Sequence, residues 1–199
     1  MQLIDKEFLR KQGDARMVRN EVINAHRGMI MDRNGVPLAV STPVTSIWIN
    51  PKEVFELAHP PKAEDGKKQK QPVFLDYNAI ASAIGLEPHE LRTKVEANPK
   101  KEFMYLKRHL APDVAKVILD REFPAIYGTN EYRRYYPQGE ATAHMIGFTD
   151  LDDKGKEGVE LAFDKQLTGV PGLQRVIKDR KGRKVKDIMQ LRAAKAGQD

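Results

Sequence analysis

Cysteine is absent from the chain, which excludes disulfides, thiolate metal sites and cysteine nucleophiles. Long apolar runs are absent as well. No stretch approaches the roughly 18 consecutive apolar residues of a membrane helix, and Met1-Gln2-Leu3-Ile4 is too short for a cleavable signal. Aromatic residues make up only 7% of the sequence, so a thin body is expected rather than a deep core. Serine occurs only as Ser41, Ser46 and Ser82. An acylating serine of the Ser-x-x-Lys kind needs a lysine one helical turn on to make its hydroxyl nucleophilic. Val44, Ile49 and Gly85 stand there instead, and neither Ser-x-Asn nor Lys-Thr/Ser-Gly occurs, so no such acyl transfer is expected of this chain. The five histidines (His26, His59, His89, His109, His144) show no metal-ligand spacing, and no metal or other cofactor is expected. Gly169-Val170-Pro171-Gly172 lacks the lysine and following helix of a phosphate loop.

What is present is charge. The 199 residues carry a net +6, with 40% hydrophobic and 31% charged residues, which suits one large domain or two small ones. Basic runs occur at 67–70 and 180–186, and Arg133-Arg134 lies beside Tyr132, Tyr135 and Tyr136. A nucleic-acid or anionic-surface-binding domain is therefore an alternative reading, resting on charge alone. Ordinary solubility explains the same charge, and no nucleic-acid partner is expected.

The pattern predicts an α+β chain. Residues 5–25 read as a short helix and an extended segment. Asp32-Arg33-Asn34-Gly35 is a hairpin turn between two apolar runs. Thr45 to Ile49 alternates as a strand. Residues 59–72, rich in proline, glycine and lysine, read as a mobile loop. Three helices follow: one capped by Asp76 with Ile80, Ala83 and Ile84 on a face, one carrying Leu91 and Val95, and one burying Val114, Val117 and Ile118, with a strand at Phe103 to Leu106. Extended chain is expected at Ile126 to Tyr136, a last helix to Gly169, and a second hairpin turning at Asp179 to Gly182. Asp150, Asp152 and Asp153 read as solvated turn formers, and His144 as a packed histidine.

Three glycine-punctuated segments stand out: R-G-M-I-M-D-R-N-G-V-P-L-A from Arg27, R-R-Y-Y-P-Q-G-E-A-T-A-H-M-I-G-F-T from Arg133, and G-V-E-L-A-F-D-K-Q-L-T-G-V-P-G from Gly158. D-R-K-G-R follows from Asp179. In this order they resemble the amino-terminal, non-catalytic module of class B penicillin-binding proteins, from about Arg27 to Ile188. The similarity is strongest to the division-specific branch of Gram-negative bacteria. The cell-elongation branch carries a long insertion where a short turn here joins Gly147 to Gly158.

The resemblance implies an elongated module of β-hairpins with a small helical subdomain. It divides the chain into a membrane-proximal segment at 1–24, a pedestal module at 25–190 with helices over about 73–122, and a linker at 191–199. It implies a non-catalytic scaffold on the periplasmic face of the inner membrane, working for a serine-type septal peptidoglycan D,D-transpeptidase. The implied partners are a transpeptidase domain, division proteins including the septal glycosyltransferase, and the membrane through an upstream anchor; a homodimer stays open. Structural and interdomain roles fall to Arg27, Gly28, Asp32, Arg33, Gly35, Arg134, Pro137, Gly139, His144, Gly147, Gly158, Glu160, Phe163, Asp164, Gly169, Gly172, Asp179 and Gly182. Of these, Arg27, Asp32, Arg33, Arg134, Glu160 and Asp164 are unlike charges expected to knit remote hairpins together, with Arg27 meeting Glu160.

Overall fold

The computed structural model describes residues 18–60, 71–178 and 184–199, apart from the side chains of Arg19, Glu140, Lys178 and residues 184–188. The expected helix before β1, most of the expected loop at 59–72, the turn residues Asp179 and Gly182, and the basic runs at 67–70 and 180–183 lie outside the described residues. The chain mixes helix and sheet, and separates into two compact units, Met1–Pro43 with Tyr132–Asp199, and Val44–Glu131. Among the described residues no helix is long and apolar enough to cross a membrane.

The strands are β1 (Val18–Ile23), β2 (Ile30–Met31), β3 (Pro37–Ile49), β4 (Met104–Leu110), β5 (Ile126–Tyr135), β6 (Gly172–Lys178) and β7 (Lys184–Arg192). One sheet runs β1-β6-β7, all antiparallel, with Val18 opposite Ile177 and Ile23 opposite Gly172. The other runs β2-β3-β4, with β5 also on β3. Thr42 bonds the Arg133 carbonyl, Thr45 bonds Asn130, and the Trp48 ring packs at a tilt against Tyr127. Residue numbers rise along β3 as they fall along β5, so that pair is antiparallel.

In the inserted unit, α1 (Pro51–Ala58), α2 (Tyr77–Ile84), α3 (Pro88–Glu96) and α4 (Pro112–Leu119) pack on Ile47, Ile49 and Ile126 of the sheet. Asn50 caps α1 through Glu53 N at 3.1 Å and Pro51 opens it, a start signal that the sequence reading passed over. Asp76 caps α2 as expected, but Ala81 rather than Ala83 joins Ile80 and Ile84 in the core. The face of α4 is also corrected. Ala115 and Ile118 are buried, whereas Val114 and Val117 are 47% and 62% exposed. A spacing rule that weighs only large apolar residues misses that the sheet-facing side is packed through a small alanine. On the opposite sheet face Trp48 sits between Tyr127 and Phe103. The compact unit extends beyond the expected 73–122, because its helices need the strands at both ends of the insertion to cover them.

In the other unit, among the described residues, Leu38, Ala39 and Ile146 form a small buried apolar cluster, with Ile30, Tyr136 and Val159 against it. The expected first hairpin forms. Asp32 Oδ1 accepts from the Asn34 and Val36 amides at 2.7 and 2.9 Å, and Gly35 takes φ +80°. The single last helix is instead α6 (Gly158–Ala162) and α7 (Asp164–Leu167), broken at Phe163, after a short α5 (Ala143–Ile146). The boundary expected at 24/25 cuts through a sheet, since β1 pairs with β6. Nor is 191–199 a plain linker: Gly197 N donates to His26 O at 3.0 Å and Gln198 N to Gln166 O at 2.9 Å. A side chain on Gly197 would overlap the Leu167 carbonyl, and one on Gly28 the Gln198 carbonyl, so these glycines let the tail lie against the first motif.

Candidate functional site: a buried arginine lock

The centre of the motif-bearing unit is polar. Glu160, on α6, is completely buried between two arginines. Its Oε2 accepts from Arg27 Nε and its Oε1 from Arg134 Nε, both at 2.7 Å. Arg27 Nη2 donates to the Glu160 backbone carbonyl at 2.8 Å. Arg27 Nη1 reaches Asp164 Oδ1 at 2.8 Å, Thr168 Oγ1 at 2.9 Å and the Asp153 carbonyl at 3.2 Å. On β5, Arg134 Nη1 donates to Ser41 Oγ at 3.1 Å, and Ser41 in turn donates to the Arg27 carbonyl at 3.2 Å. One carboxylate thus joins the segment before β2, the strand β5 and the helix α6.

Burial by itself lowers the pKa of Arg27, but the hydrogen bonds and charges of Glu160 and Asp164 outweigh it and hold the guanidinium above its ordinary value. Burial raises Asp164, yet the Gly155 amide at 2.8 Å and Arg27 bring its carboxyl below the usual range. The arrangement is a framework. Both carboxylate oxygens of Glu160 are committed to protein donors, and charge-assisted bonds of this geometry are among the stronger ones in proteins.

Four of the expected residues, Arg27, Arg134, Glu160 and Asp164, therefore come together. Asp32 and Arg33 do not: Asp32 spends its carboxylate on its own turn and Arg33 is exposed there. Gly28 N bonds Leu167 O at 2.8 Å. Gly147 and Gly158 approach so closely that a side chain on either would meet the backbone of the other segment. Gly169 packs on Ala25 and His26, and Gly172 on residues 192–194. Pro137 and Gly139 are exposed after β5, and Phe163 is exposed at the helix break. His144 is exposed beside a cavity instead of packed. Arg134 is buried, which removes it from the basic-aromatic strip proposed for a nucleic acid.

The sequence reading missed Ser41, Thr168 and Asp153 as partners of the lock. Nothing but their neighbourhood to motif residues marks them. Asp153 also contradicts its expected role as a solvated turn former, because its Oδ1 is buried.

Comparison with known proteins places this geometry. The chain is 45% identical over 188 residues to the peptidoglycan D,D-transpeptidase FtsI of Escherichia coli, covering 94% of this chain and 30% of that protein. It is 39% identical over 199 residues to the probable peptidoglycan D,D-transpeptidase PbpC of Pseudomonas aeruginosa, covering 100% of this chain and 32% of that one. The chain thus spans about a third of the length of the curated relatives it matches. Among solved structures, penicillin-binding protein 2X of Streptococcus thermophilus shares the fold at a TM-score of 0.52 and 16% identity, over 90% of this chain and 28% of that one. The family profile described as "Penicillin-binding Protein dimerisation domain" matches residues 22–199, a range that holds both buried arginines and Glu160. The chain belongs to the penicillin-binding protein dimerisation domain family.

Proposed function

We propose that this chain is the non-catalytic scaffolding and protein-interaction module of a septal peptidoglycan D,D-transpeptidase, positioning a catalytic domain at the periplasmic face of the inner membrane for cross-linking during division. The observation that carries this reading is that four of the motif charges, Arg27, Arg134, Glu160 and Asp164, are spent on one another. Glu160 binds Arg27 and Arg134, and no oxygen of it is left for a substrate. Such a core fixes remote segments relative to each other, which is what a platform for a second domain requires. The 45% identity to FtsI supports the division branch. A chain of the same fold, 18% identical, is a penicillin-binding protein (PBP2) in complex with MreC from Helicobacter pylori, which supports partner binding as a use of this architecture.

In this reading residues 1–24 are the membrane-proximal segment, the motif residues keep the fold, and division proteins, the septal glycosyltransferase among them, meet the inserted unit or the anchor-proximal end. Those surfaces carry residues that the lock does not dictate. The test is to express the module with an anchor in the periplasm of a dividing bacterium. It should compete with the intact transpeptidase and lengthen cells into filaments, and division proteins should be recovered with it. Normal division at high levels of folded module, with no division protein recovered, would leave a passive spacer.

A further inference from the structure

The segment from Phe148 to Lys156 forms a small hairpin over the arginine lock. Lys156 N donates to Phe148 O and Asp150 N to Lys154 O, each at 2.9 Å. Asp150 Oδ1 accepts from the Asp152 and Lys154 amides, and Lys156 Nζ pairs with its Oδ2 at 2.9 Å. The hairpin is seated at three points. The Thr149 amide donates to Tyr136 Oη at 3.1 Å, Arg27 Nη1 donates to the Asp153 carbonyl at 3.2 Å, and the Gly155 amide donates to Asp164 Oδ1 at 2.8 Å. At the tip Asp153 takes φ +61°, a left-handed conformation uncommon outside glycine. That backbone turns its carboxyl inward, where Oδ1 is covered and makes no hydrogen bond.

We propose that this hairpin is a proton-controlled clasp on the lock, seated while the Asp153 carboxyl is neutral and released from Arg27 when that carboxyl ionises. The charges facing Asp153 are Arg27 from the segment before β2, Arg134 from β5, Glu160 from α6 and Asp150 from the hairpin itself. The lock is already balanced, with two guanidinium groups against Glu160 and Asp164. A further anion is surplus there, and an ionised carboxylate is costly to bury without hydrogen bonds. Burial accordingly pushes Asp153 up to about 6, against the pull of the two arginines. Release carries Phe148 and Leu151, which are 51% and 65% exposed, and alters the cavity of about 450 Å³ between Tyr136, Ile146, Phe148 and Glu157. The clasp therefore couples external pH to the apolar surface that this unit presents.

Asp153 has a folded-state pKa above its unfolded value of about 3.9. Its contribution to stability is full below that value and lost as pH rises through about 6. The experiment is an NMR titration of the folded chain from pH 4.5 to 8, following the Thr149 and Gly155 amides and the Asp153 side-chain carboxyl carbon. All three should move with one midpoint near 6, and protection of the two amides, corrected for intrinsic exchange, should fall above it. In Asp153→Asn, a neutral isostere, both amides should stay protected across the range. An Asp153 midpoint below 4.5 in the parent overturns the proposal, whether or not the variant folds. So does the parent's amide profile persisting unchanged in Asp153→Asn.

Discussion

Glu160 is the residue on which the motif-bearing unit turns. Among the described residues the buried apolar cluster beside the lock is Leu38, Ala39 and Ile146, with Leu167 and Val176 buried elsewhere in the unit, so charges stand where a larger core would place leucines. Removing one member of a buried ion pair leaves the others desolvated and uncompensated. Arg27→Ala is expected to cost on the order of 3–5 kcal/mol, read as a lower urea midpoint at pH 7; a variant that unfolds with the parent shows the lock to be energetically idle. Replacing Arg27, Glu160 and Arg134 together by apolar residues of similar volume should recover much of that loss. The meeting of Arg27 with Glu160 was legible in the sequence because each is a charge beside a motif glycine, in segments far apart. Asp153 was not legible. Its aspartate-rich, glycine-containing surroundings have the composition of a solvated turn, and only the path of the backbone buries it.

At the scale of elements, short-range chemistry was read well and packing direction less so. The Asp32 turn and the Asp76 cap follow from side-chain bonds within four residues, which sequence displays directly. The buried face of α4 and the break at Phe163 depend on what lies opposite, which spacing does not reveal. The tail is the largest difference. Alanine and lysine suggest a linker, yet Lys195 and Val170 exchange two backbone bonds at 2.8 and 2.9 Å and Gly197 passes under Leu167. Gly197→Ala should lift this segment off. Loss of the bonds at Gly197 and Gln198 is expected to cost about 1–3 kcal/mol in total, seen as faster amide exchange at Gly197 and Gln198. Unchanged exchange at both would mean that the tail is held by other contacts.

For the whole molecule, the order of the units along the chain matters most. Val44–Glu131 is inserted into a unit whose own sequence is split, and the chain leaves on β3 and returns on β5, two neighbouring antiparallel strands. The lock lies wholly outside the insertion. Joining Pro43 to Tyr132 through an Asn-Gly turn, a two-residue hairpin connection, should therefore leave a chain that folds by itself and keeps slow exchange at Gly28, whose amide bonds Leu167. A molten or aggregated product would show that the insertion is required for folding. If the two strands close without it, lineages are free to lengthen, shorten or exchange the stretch between Pro43 and Tyr132 while inheriting the base unaltered. Changes in what the module recognises would then be expected to collect in that stretch, and changes at Arg27, Arg134 and Glu160 to be rare, because any one of them alone crosses a valley of lost stability.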